Sequence, residues 1–197
     1  MRRVLPRTIR RALLSAALAA LLLTPLALAQ TTERPGAWLD GPISNWNAAG
    51  MAVPTAPPAD FVPPDGLCAP GGDVSSTATP EERLLDASGW KRIRTEAQWW
   101  GSVLVSAQQS VDGMCRPMQY QWFVFVDGML AGTLSPQPMD SRTDGGGWVE
   151  ALRRNGLDAH YSRYAPSDAL CCPSGQVTVR FEIERTDAGP VLVPQQP

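Results

Sequence analysis

The chain has 197 residues, 44% hydrophobic and 18% charged, which is too apolar for a disordered protein and too short for two full-sized domains. Five of its 17 basic residues (Arg2, Arg3, Arg7, Arg10, Arg11) precede residue 30, so the remainder sets 12 basic residues against all 19 acids, a formal charge of −7. That balance argues against a nucleic-acid face, and one histidine and one lysine leave few means of building a metal cluster or an imidazole-based active site.

The first thirty residues divide into a basic stretch and an apolar run, Ala12 to Ala29, that ends in Ala27-Leu28-Ala29 before Gln30. This is the three-part form of a secretory signal, with small residues where the peptidase needs them. Residues 1–29 are therefore expected to be a cleaved signal peptide, leaving a mature chain that starts at Gln30. An uncleaved anchor is the competing reading, because the run reaches the lower limit of a bilayer span. Pro25 breaks the run just before the cleavage site. No membrane span is expected after cleavage, and with no cysteine before Cys68 there is no lipobox to acylate.

Export changes the meaning of Cys68, Cys115, Cys171 and Cys172, since thiols in an oxidising compartment pair. Adjacent cysteines have alpha carbons about 3.8 Å apart, below the usual disulfide range. The expected bonds therefore join Cys171 and Cys172 to Cys68 and Cys115, in either order. A four-cysteine zinc site lacks the spaced C-x2-4-C pairs it would need.

Residues 30–64 are proline-rich, with Pro57-Pro58 and Pro63-Pro64, and show neither helical nor strand periodicity. They read as an extended arm whose aromatic residues pack on the domain, with a mobile tether as the alternative. At Thr79-Pro80-Glu81-Glu82 a hydroxyl cap, a proline at the first helical position and a T-x-x-E box predict a short helix from Pro80 to Ser88. Val103, Val105 and Ala107 alternate with polar residues and predict a strand over 102–109. In Tyr120 to Val126 both faces are apolar, the mark of a central strand covered on two sides. Asp127-Gly128 is a hairpin turn into Met129–Leu134, and Asn155-Gly156 joins Trp148–Arg154 to Leu157–Tyr164. The last long strand turns Val177, Val179, Phe181 and Ile183 inward, and a turn at Asp187 to Gly189 leads to a short edge segment, Val191–Val193. The expectation is an α+β domain over about 65–194: a small antiparallel sheet with one short helix, stapled by disulfides.

The run Phe123-Val-Phe-Val-Asp-Gly-Met-Leu-Ala-Gly-Thr133, a strand ending Tyr161-Ser-Arg-Tyr164, and Cys171-Cys172-Pro173-Ser174-Gly175 leading into Val177-Thr-Val-Arg-Phe181 resemble the LppP/LprE lipoproteins of bacterial envelopes. The likeness covers roughly residues 80 to 193, and the CCPSG turn is its most specific element. It implies an exported, β-rich envelope domain and carries over no functional residues. The missing lipobox departs from the family.

His160 shares a predicted strand face with Asp158 and Ser162 and reads as part of a polar surface. Glu182 and Glu184 read as a solvated strand face, and the loop Asp140 to Gly145 lacks the third and twelfth ligands of a calcium loop. No catalytic residue, metal site or cofactor is assigned. Trp90, Trp99, Trp100 and Trp148 fall near strand ends or in loops and form a candidate binding surface, against the alternative that they fill the core. The expected function is a non-catalytic module, periplasmic, envelope-bound or secreted, that binds a cell-wall polymer or an envelope protein. An enzyme inhibitor presenting loop 110–118 or 135–147 is the alternative, and a hydrolase a more distant one.

Overall fold

The computed structural model describes residues 34–64, 67–68 and 78–196. The expected signal peptide, residues 1–29, lies outside the described residues. Helix α1, Pro80–Ala87, has the full capping box: Thr79 Oγ1 accepts from Glu82 N at 3.2 Å, and Thr79 N donates to Glu82 Oε2 at 2.8 Å. Glu82 also accepts from the Thr95 hydroxyl at 3.1 Å and pairs with Arg92 at 3.1 Å, so the cap fastens the helix to the sheet beneath it. Thr79→Ala is expected to cost about 1 kcal/mol, read as a lower urea midpoint at unchanged slope.

The strands are β1 (Lys91–Trp99), β2 (Ser102–Gln108), β3 (Ser110–Val111), β4 (Pro117–Met118), β5 (Gln121–Val126), β6 (Met129–Thr133), β7 (Gly147–Arg153), β8 (Gly156–Arg163), β9 (Gly175–Thr186) and β10 (Gly189–Pro194). They pair antiparallel in the orders β1-β2-β5-β6 and β10-β9-β8-β7, with β3-β4 as a small hairpin. The α+β expectation is thereby corrected to a mainly β fold, because a helix of eight residues covers only part of one sheet face.

The two four-stranded sheets face each other, with β6 beside β10 and β1 beside β7. Strand β5 shows why they stack. Tyr120, Trp122, Val124 and Val126 enter the core between the sheets with Leu157, Tyr161, Val179 and Phe181. Phe123 and Phe125 enter a second core under α1 with Leu85, Trp90 and Leu130. Both faces of β5 are buried, as its sequence predicts.

Strand β1 was not legible. Its register slips between Arg92 and Arg94 and again between Thr95 and Ala97, and each bulge reverses the alternation on which recognition depends.

Residues 34–64 contribute Leu39 and Ile43 to the intersheet core, with Trp38 and Trp46 packed against it. Asn47 is buried and bridges the sheets: Nδ2 donates to Leu192 O at 2.9 Å and Thr133 O at 3.1 Å, while Oδ1 accepts from Thr133 N at 2.9 Å.

The disulfide expectation is corrected. Cys68 bonds Cys115, and Cys171 bonds its neighbour Cys172. The Ser110 hydroxyl donates to Phe61 O at 2.8 Å and accepts from Phe61 N at 3.1 Å, while Asp60 N donates to Gln119 Oε1 at 3.0 Å. These bonds lay the chain along the β3–β4 hairpin, whose turn holds Cys115, whereas Cys171 and Cys172 stay on the exposed β8–β9 connection.

Candidate binding surface

The four tryptophans of the candidate surface separate. Trp90 follows α1 and is 4% exposed; its Nε1 donates to Pro54 O at 2.8 Å and its ring meets Phe123 edge-on, so it is core and leaves the surface. Trp99 and Trp100 stand at the β1–β2 turn, 50% and 76% exposed.

Trp99 pairs with Ser102, which leaves Trp100 and Gly101 as a two-residue turn, both with positive φ, 46° and 80°. That backbone suits the right-handed twist of the flanking strands, but it normally calls for Asn-Gly, and a left-handed residue with a bulky side chain costs about 1 kcal/mol or more. Strain of this kind concentrates where a side chain is held out for a purpose. Across the sheet the same row runs Trp99, Ser102, Val126, Met129, and Met129 is half-exposed as well. The neighbouring charges are paired, with Arg185 Nη1 2.8 Å from Asp127 Oδ2. One end of the sandwich therefore presents two indoles and a thioether.

Trp148 lies on β7, on the outer face of the second sheet, where its ring stacks on His160 at 5.4 Å and 27°. His160 does share that face with Asp158 and Ser162. Its Nδ1 lies 2.9 Å from both Gln176 Nε2 and Thr178 Oγ1, and its Nε2 lies 3.1 Å from Glu150 Oε2. Both ring nitrogens are therefore in contact with polar side chains, Nδ1 with Gln176 and Thr178 and Nε2 with Glu150. The imidazole is pinned on three sides and fixes the indole above it.

The carboxylates of the 140–145 loop are held by structure. Asp140 Oδ1 accepts from Gln119 N at 2.7 Å. The Asp144 side chain accepts from Arg34 Nη1 at 2.7 Å and Arg163 Nε at 2.9 Å, and Asp40 bonds the same two arginines. The Arg163 hydrogen bond holds the Asp40 carboxyl below its ordinary range, with Arg34 adding to it. Gly36 and Gly145 make this clip possible: both have positive φ, and a Cβ on Gly145 would lie 2.6 Å from Gly36 Cα. At the β3–β4 turn, Arg116 lowers Asp112 to about 2, so the carboxylate stays charged and keeps accepting from Met114 N and Arg116 N. Of the loops considered for an inhibitor, 135–147 is anchored by buried Ser135 and Met139, and 110–118 by Asp112 and Cys115.

Among the described residues no His, Cys, Asp and Glu group is arranged to hold a metal ion, and no helix is long and apolar enough to cross a membrane. Residues 97–186 match the model of the LppP/LprE lipoprotein family, bearing out the resemblance over that stretch. The match runs from the end of β1 to the end of β9; it includes Trp99, Trp100 and Trp148 and leaves out Trp90 and Cys68. No curated protein and no solved structure matches the chain.

Proposed function

We propose, on the premise of that LppP/LprE lipoprotein match, that the chain is an exported, non-catalytic envelope module that binds a cell-wall polymer or another envelope protein. The observation that carries this reading is the Trp99-Trp100 turn, exposed and strained at one end of the sandwich. Tryptophan anchors are the commonest centres of binding energy, and truncating one typically costs 2 kcal/mol or more. The binding role fits a body whose paired charges brace its loops. A signal peptide over 1–29 and a proline-rich approach over 30–64 complete the proposal.

The test is retention of the purified protein on cell-wall polymer stripped of protein, and on immobilised envelope proteins. The Trp99→Ala/Trp100→Ala variant should lose at least tenfold in affinity, since 1.4 kcal/mol is a factor of ten. Equal retention of the variant and the parent on both supports would remove the tip from the proposal. Trp100→Gly gives a separate readout: it should bind as poorly as the double variant yet gain about 1 kcal/mol in stability, because glycine adopts the left-handed turn without strain. A lower unfolding midpoint for Trp100→Gly would mean that the indole packs where the structure leaves it exposed.

A further inference from the structure

The free edges of the two sheets, β1 and β7, run side by side without pairing. Both are bulged, β1 twice between Arg92 and Ala97 and β7 between Val149 and Ala151. A bulge bends its strand and breaks the ladder, so the sandwich does not close along this side. A cleft of about 140 Å³ remains between the edges.

Its lining is mixed, with Ala97, Leu104 and Trp122 from the first sheet, Leu152 from the second, and the half-exposed Trp148 of edge strand β7. Its rim is charged, with Arg94, Glu96 and Glu150. Pockets for drug-sized ligands run to about 300–1,000 Å³, so this volume suits a single ring.

The rim narrows the chemistry of that ring. Arg94 Nε bonds Glu96 Oε2 at 2.6 Å, and this one cation of the rim stands against two carboxylates, Glu96 and Glu150, so the balance of charge disfavours an anionic group. Glu96 takes the Ser106 hydroxyl at 2.7 Å, and Glu150 takes His160 yet keeps a side chain that is 71% exposed. Two carboxylates with spare lone pairs call for hydroxyl or ammonium donors. The indole of Trp148, immobilised on His160, offers a flat apolar face. Trp122, itself buried, adds an aromatic residue to the lining. A ring with one apolar face, several hydroxyls and no negative charge meets all of these conditions.

We infer that the β1–β7 cleft takes one neutral or amino pyranose ring, as the end or a branch of an envelope glycan. The inference rests on the proposed function in its polymer-binding form and assigns that form a second contact, distinct from the Trp99-Trp100 tip.

Ligand-observed NMR on the full exported protein with methyl glucoside, glucosamine and glucuronate tests it. A ligand of about a dozen heavy atoms at ordinary efficiency binds with Kd of order 1 mM. Methyl glucoside and glucosamine should saturate in that range and glucuronate should not. Trp148→Ala and Glu150→Gln, both at exposed side chains, should each weaken binding about tenfold, while Leu170→Ala, exposed on the β8–β9 connection, leaves it unchanged. Glucuronate binding as tightly as the glucoside, or full binding by both cleft variants, overturns the inference. If none of the three sugars binds while cell-wall polymer is still retained through Trp99 and Trp100, the cleft assignment falls and the proposed function stands. If the polymer is not retained either, the cleft assignment and the polymer-binding form of the proposed function both fall.

Discussion

Asn47→Ala is expected to cost about 4 kcal/mol, a large share of the 5–15 kcal/mol that holds a typical domain together. The side chain is 6% exposed and makes three hydrogen bonds, two to Thr133 and one to Leu192. Truncation leaves the buried Thr133 N–H and Leu192 carbonyl without that partner, at about 1–3 kcal/mol each, and loosens the seam where β6 meets β10. Gly132→Ala should reach a similar loss from the other side, because its Cβ would lie 2.6 Å from Asn47 Nδ2. Urea unfolding of both single variants and the double variant separates the causes. If the clash with the amide is the reason, the double variant is less destabilised than the two losses added. Strict additivity would place the Gly132 effect elsewhere.

Removing the Cys68–Cys115 bond should cost about 4 kcal/mol on the chain-entropy scale, since the bond spans 47 residues. The Cys171–Cys172 bond joins neighbours and closes almost no loop. Cys115→Ser should therefore lower the unfolding temperature by many degrees, whereas Cys172→Ser shifts it little. Peptide mapping of the unreduced protein should recover Cys68 linked to Cys115. A fragment that links Cys68 to the 171–172 pair would restore the arrangement expected from spacing and contradict the fold.

Both features mark what the sequence could not convey. Period-two alternation made β2 and β9 legible, a run apolar on both faces marked β5, and Asp127-Gly128 and Asn155-Gly156 announced their hairpins, because these signals lie within a few neighbouring residues. Asn47 carries no local signal, since its partners stand 86 and 145 residues away. The disulfide order depends on the chain from 58 to 64 lying against the β3–β4 hairpin, a long-range docking that spacing alone does not encode. Trp100-Gly101 resembles no turn sequence, because tryptophan so seldom adopts a left-handed backbone. Trp90 and Trp99 look alike in sequence, each near a strand end, and only the placement of α1 over Phe123 sends the first inside.

On strand β9, Gly175 lies opposite Arg163 of the arginine–aspartate clip, and Arg185 pairs with Asp127 beside the Trp99-Trp100 turn. At about 3.3 Å per residue the clip and the tip are separated by roughly 33 Å along the strand axis. Tension applied between the tip and the clip would pull parallel to the strands. Ladder hydrogen bonds lie perpendicular to that direction, so they would be loaded in shear and would share the force, instead of parting one at a time. The same geometry makes the body resist extension along its strands more strongly than pulling directed across the sheets.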